Sequence, residues 1–174
     1  YCGFSQGMTY SFESPKVFDK LLLPKESELR KTVCISNPLG EDFSVMRTTP
    51  LNGMLTSLAT NYNRRNKDVR LFEMGNIYLP KELPVTDLPD ERMQFTLGFY
   101  GEGDFFTMKG VVEEFLGQVG MDSQVEYDAE AGKTFLHPGR QANILYKDTV
   151  IGYLGEVHPV VCENYDMKTR AYVA

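Results

Sequence analysis

Four groups of residues in this chain have types and spacings that can do chemistry. Gly101-Glu102-Gly103 precedes a helical pattern, where a glycine-rich loop can cradle phosphate. Neither G-x-x-x-x-G-K-[ST] nor G-x-G-x-x-G is present, and Glu102 and Asp104 repel a phosphate, so the segment reads as a turn. His137, His158 and Cys162 are metal-ligand types, and His158 and Cys162 lie four apart on a helical pattern where both can face one ion. Both histidines stand in His-Pro pairs, with no further ligand at a recognisable spacing. Helix entry and turn structure beside a buried thiol is the preferred reading, with no metal. Arg64, Arg65, Lys67 and Arg70 form the densest basic cluster. It can contact RNA phosphates, or it can complement a helix C-terminus on a solvated turn; the second reading is preferred. Glu73 shares a strand face with Val69, Leu71 and Ile77, so its carboxylate must find a partner or take a raised pKa. It is either a general base or, as is more common, a carboxylate hydrogen-bonded to a neighbouring strand or to the surroundings of Arg70. These groups alone make no catalytic constellation.

The elements that position them centre on Thr48 to Pro80. Thr49 can cap a helix with Pro50 at its first position. Leu51, Met54, Leu55, Leu58 and Tyr62 then recur at helical spacing. The polar run Asn61 to Asp68 ends the helix. Val69 to Tyr78 follows as a strand with Val69, Leu71, Glu73, Gly75 and Ile77 on one face and Arg70, Phe72, Met74, Asn76 and Tyr78 on the other. Both faces are partly apolar, which predicts a central strand covered by the preceding helix. Around this unit the pattern predicts strands over Gly7–Phe12, Thr32–Ile35, Met93–Tyr100, Ser123–Tyr127 and Arg170–Ala174. It predicts a hairpin of Gln141–Tyr146 with Val150–Val157, and helices over Pro15–Leu22, Thr107–Val119 and Pro159–Tyr165. Pro80 to Asp90 holds three prolines and reads as an exposed loop. Hairpin signals outnumber β–helix–β alternation, so the expected class is α+β: a largely antiparallel sheet flanked by helices.

Composition bounds the function further. A chain of 174 residues with 42% apolar side chains can bury one core. The net charge of −6 provides no overall basic field toward nucleic acid or membrane. Cys2, Cys34 and Cys162 are odd in number and widely spaced, and read as free thiols in a reducing cytoplasm. No apolar run approaches the roughly 20 residues of a membrane span. The opening at Tyr1-Cys2 and the end inside a strand pattern read as a piece of a longer chain.

PLNGMLTSLATNYNRR followed by VRLFEMGNIY closely resembles the β subunit of bacterial phenylalanyl-tRNA synthetase. GFSQGMTYSF, DFFTMKGVVEEFL, FLHPGRQANILY and IGYLGEVHPVV resemble it too, in the family's order and over nearly the whole chain. The resemblance implies the catalytic-like module of that subunit over residues 1–174, with the fold of a class II aminoacyl-tRNA synthetase domain. It implies that an α subunit does the chemistry within a heterotetramer in the cytoplasm. The whole enzyme charges tRNA with phenylalanine using ATP and magnesium. The class II motifs are degenerate here. Gly3-Phe4 resembles the start of the motif 1 strand, with its helix truncated and Tyr10 where the interface proline belongs. In motif 2, Leu79 falls on the position of the ATP-binding arginine and Lys81 on that of the acid. Motif 3 would follow Ala174. The resemblance therefore implies a non-catalytic scaffold that assembles with the α subunit and binds no cofactor itself. The remaining site expectation is a tRNA contact through Arg64, Arg65, Lys67 and Arg70. Two alternatives stay open: a small-ligand pocket using Glu73, Asn76 and Tyr78, or a direct tRNA-binding module. Apolar surface left by the truncated helix is expected to make the isolated piece self-associate.

Overall fold

The computed structural model describes residues 2–174; Tyr1, where the expected truncation of the motif 1-like helix falls, lies outside them. Nine strands and four α-helices follow one another among the described residues. They are β1 (Ser5–Gln6), β2 (Phe12–Glu13), α1 (Val17–Lys20), β3 (Val45–Met46), α2 (Leu51–Asn63), β4 (Val69–Leu79), β5 (Asp90–Tyr100), α3 (Phe105–Gln118), β6 (Val125–Asp128), β7 (Leu136–Tyr146), β8 (Thr149–Val157), α4 (Pro159–Asn164) and β9 (Ala171–Val173). Seven strands form one sheet in the order β1-β4-β5-β9-β8-β7-β6, antiparallel except for the parallel pair β1–β4; β2 and β3 make a separate antiparallel pair. The class is α+β, as expected.

The two long helices cover opposite faces of the sheet. Leu51, Met54, Leu55 and Leu58 of α2 are buried with Tyr100, Ala171 and Val173, and Val69 and Leu71 pack against them. Met108, Val112 and Leu116 of α3 are buried on Leu97, Phe99, Leu154 and Tyr172. Adjacent residues of β5 therefore feed different cores, because successive side chains of a strand point to opposite faces. α3 starts on a side-chain capping box, whereas the N-cap of α2 is Pro50, with a side-chain hydrogen bond just before it. The Thr49 hydroxyl accepts from Leu51 N–H at 3.4 Å, and the Asp104 carboxylate accepts from Thr107 N–H at 2.9 Å. α3 stops at Gly120, whose φ of +74° suits glycine.

Several expected elements are corrected. β4 is not central: outside it lies only the short β1, paired at Leu71 and Phe72. Gly7–Phe12 is not a strand. After Gly7 N–H donates to Phe72 O, the chain leaves β4, because the Thr9 side chain turns inward to bind Glu73. Thr32–Ile35 reduces to one bridge between Cys34 and Val45; its partner strand, β3, is only two residues long. The hairpin is longer than predicted and turns at Lys147 and Asp148, both at positive φ. Pro80 to Pro89 has no helix or strand, and Leu83 and Leu88 are exposed.

Candidate functional site on the α2 face of the sheet

Glu73 sits mid-strand on the α2 face and is 3% exposed. Its partner is Arg47, at the end of β3 and equally buried: Nη1 lies 3.0 Å from Glu73 Oε1. Arg70, whose surroundings were one of the expected partners of Glu73, instead donates to Glu102 O at 3.1 Å from the opposite face. The Thr9 hydroxyl donates to both carboxylate oxygens, at 2.8 and 3.0 Å. Arg47 Nε donates to Asn76 O at 2.8 Å, and Tyr78 N–H donates to Arg47 O at 2.9 Å. Arg47 thus supplies the outer edge of β4 where β1 is too short to reach. The pair needs two gaps in neighbouring side chains. A Cβ at Gly75 would strike Arg47 Nη2, and one at Gly53 of α2 would strike the Thr9 hydroxyl. A carboxylate held by an arginine and a hydroxyl is committed to those partners, so its role here is cross-linking.

Further along the same face, Leu79 and Ile77 border a cavity of about 500 Å³ with Arg92, Gln94, Lys133 and Tyr153. Arg92 is held by Asp90, Nε to Oδ2 at 2.6 Å. Lys133 lies over the Tyr153 ring at 5.3 Å. Burial pushes the Tyr153 phenol up to about 12, against a hydrogen bond from Thr49. Toward the other end of the face, Met54 fills the space in front of Gly98; a Cβ there would lie 2.6 Å from its Sδ. Tyr100 closes the face at 1% exposure, its hydroxyl donating to Asn66 O at 2.8 Å. Asn76 and Tyr78 belong to the opposite face from Glu73, and the Asn76 amide donates to Glu91 on the exposed side. Glu73, Asn76 and Tyr78 do not converge.

The other candidates are also accounted for. His137 Nδ1 accepts from Gly139 N–H at 3.1 Å, and His158 Nδ1 accepts from Val160 N–H at 3.2 Å as the cap of α4. Burial pushes the Cys162 thiol up to about 11. Gly101 and Gly103 take positive φ in the turn that leads into α3. Arg64, Arg65 and Lys67 are exposed at the end of α2, while the Arg70 guanidinium lies 5.7 Å from the Phe99 ring on the α3 face. The basic cluster read from sequence is therefore divided.

The family described as "Phenylalanyl tRNA synthetase beta chain CLM domain" matches residues 1–174. The chain belongs to that family. It is 51% identical over 172 residues to the phenylalanine–tRNA ligase beta subunit of Clostridium acetobutylicum, covering 99% of this chain and 22% of that protein. The same subunit of Clostridium tetani is 44% identical, again over 99% of this chain and 22% of the relative. The module thus spans about one fifth of the length of these relatives. A pyrrolysyl-tRNA synthetase from Desulfitobacterium hafniense matches in fold, with a TM-score of 0.75 over 98% of this chain and 59% of that one, at 14% identity. The phenylalanyl-tRNA synthetase β-chain module therefore has a class II synthetase fold.

Sequence reasoning missed Arg47 and Thr9. One signal for Arg47 was available: a buried glutamate on β4 required a cation, and Arg47 follows an apolar pair directly before the Thr49 cap. Glu156 was missed as well. It is 3% exposed and takes Arg140 Nη1 on both oxygens at 3.0 Å.

Proposed function

We propose that this module is a non-catalytic scaffold of phenylalanine–tRNA ligase, assembling with the catalytic α subunit and supporting ATP- and magnesium-dependent charging of tRNA in the cytoplasm. Leu79 carries the reading. Activation of an amino acid by ATP needs a fixed cation against the developing phosphate charge, and leucine supplies none. The residues around it do not fit a magnesium–triphosphate group. Arg92 is already bound to Asp90, and among the described residues no group of three His, Cys, Asp or Glu side chains can hold a metal ion. The potential general base, Glu73, is tied to Arg47 and Thr9. The space in front of Gly98 is filled by Met54. What remains is a stiff sheet with an exposed apolar edge: Met8 is 91% and Tyr10 71% exposed next to β1. That edge supports association, with the α subunit or between copies. Among the described residues no helix is long and apolar enough to cross a membrane.

The test is co-purification of this chain with the matching α subunit, read by size-exclusion chromatography with light scattering, beside calorimetry of this chain with ATP and magnesium. A stable mixed complex and no ATP heat are expected. ATP binding by this chain alone, without association, overturns the reading.

A further inference from the structure

We infer that the cavity between α2 and the segment from Met8 to Val17 is a binding site for a small protonated amine with an apolar or aromatic body. The cavity holds about 810 Å³, which is within the usual size of small-molecule sites. It stands apart from the cavity bordered by Leu79. Glu13 of β2 lines it. Only 5% of Glu13 is exposed, and its Oε1 has no hydrogen-bond partner. Burying a carboxylate is costly unless it is paired. Among the described residues no cation lies within salt-bridge distance of Glu13. Arg47, whose charge it feels, is already bound to Glu73 at 3.0 Å. One buried arginine therefore faces two buried carboxylates, and the missing component is a second cation.

The other walls fit an amine. Tyr10, Phe12 and Phe43 line the cavity as one cluster. Tyr10 stacks on Phe12 with ring centroids 5.4 Å apart, and Phe43 stands edge-on to both at 6.0 and 6.1 Å. Aromatic faces attract ammonium groups, more strongly when the cation is desolvated. α2 contributes the small residues Gly53, Thr56 and Ser57, which leave the space open. The lysines at the cavity do not supply the missing charge: Lys16 reaches Glu41 at 3.8 Å, and Lys20 lies over the Tyr165 ring at 4.4 Å. Asp42 adds a second carboxylate to the lining, which selects against an anion.

Binding is linked to protons. The groups around Glu13 are Arg47 after β3, Asn52 of α2, Tyr165 after α4, Lys16 and Lys20 at the two ends of α1, and Asp42. Burial raises the Glu13 carboxyl to about 7, so below that pH an amine must displace its proton. Affinity at pH 8 should exceed that at pH 6 by about ten-fold.

The experiment is isothermal titration calorimetry of this chain with phenethylamine, beside 2-phenylethanol as its neutral isostere. A charge-assisted contact predicts that the amine binds about ten-fold tighter than the alcohol, or more, at pH 8. Glu13→Gln should bring the amine down to the level of the alcohol, and Phe12→Leu should weaken it by about two- to five-fold. Thr56→Phe fills the cavity from the exposed side of α2 and leaves Glu13 in place, so it should abolish binding whatever Glu13→Gln does to stability. Circular dichroism checks that each variant is folded. Equal affinity for amine and alcohol, undiminished binding by Glu13→Gln or an affinity independent of pH overturns the inference, as does the absence of heat with millimolar phenethylamine. Tighter binding of Nα-acetyl-lysine amide than of phenethylamine also overturns it, in favour of a lysine from a partner polypeptide.

Discussion

Arg47 and Glu73 lie 26 positions apart in the chain and 3.0 Å apart in space, each side chain only 4% exposed. Their pair ties the segment before α2 to the middle of β4, and Thr9 adds the segment after β1. Three chain segments therefore meet at one buried carboxylate. Truncating one partner leaves an unpaired buried charge, which costs about 3–5 kcal/mol. Arg47→Ala should accordingly lower unfolding stability by that amount in urea titrations. Arg47→Met with Glu73→Leu should recover most of the loss, since an apolar pair of similar volume needs no desolvated charge. A loss below about 1 kcal/mol in the single variant would mean that water reaches the pair.

Two glycines on this face should resist substitution for different reasons. Gly75→Ala forces the Arg47 guanidinium to move, and Gly98→Ala collides with Met54 Sδ. Overpacking of this kind costs about 1–3 kcal/mol. Met54 is flexible, so Gly98→Ala combined with Met54→Ala should regain part of the stability. Gly75→Ala should not be rescued by trimming Arg47, because that strands Glu73. Double-mutant cycles by chemical denaturation distinguish the two.

The sequence made the long elements legible because their signals are local. The stripe from Leu51 to Leu58 and the alternation from Met93 to Phe99 each identify an element and its buried face without reference to the rest of the chain. What was not legible depends on distant partners. Thr9 looks like a strand residue until Glu73 claims its hydroxyl. Arg47 follows a two-residue strand that has no pattern of its own. Arg70 reads as part of a basic run, but strand alternation turns it away from Arg65 and Lys67. The position of β4 near the edge was hidden for the same reason: its two faces are partly apolar because α2 covers one and Phe72 packs into the α3 core on the other, not because strands flank it deeply.

Arg65 gives a stability prediction, because it sits at φ +64° just after α2. Replacing a non-glycine residue in the left-handed region by glycine relieves about 1 kcal/mol. Arg65→Gly should therefore raise the thermal midpoint by a few degrees. Differential scanning calorimetry reads the effect. A lower midpoint would mean that the Arg65 side chain contributes packing that outweighs its backbone cost.

Glu13 makes stability depend on pH. It is 5% exposed, and its Oε1 has no hydrogen-bond partner. Burial raises its pKa from 4.5 to about 7, against the Asn52 side chain and the Arg47 charge. Between those values the folded protein holds a proton that the unfolded chain has released. Stability is therefore fully present below pH 4.5 and falls as pH rises through about 7. The gap corresponds to at most about 3 kcal/mol. The carboxylates of Asp19, Asp87 and Asp104 are lowered by their partners, so their effects fall below pH 4 and outside this window. Glu13→Gln keeps the shape without the titration, so its stability should be nearly flat from pH 5 to pH 8 and exceed that of the wild type at the upper end. Urea midpoints of both proteins at pH 5, 6, 7 and 8 provide the comparison. Parallel profiles would show that Glu13 is ionised throughout and that its charge is compensated within the fold.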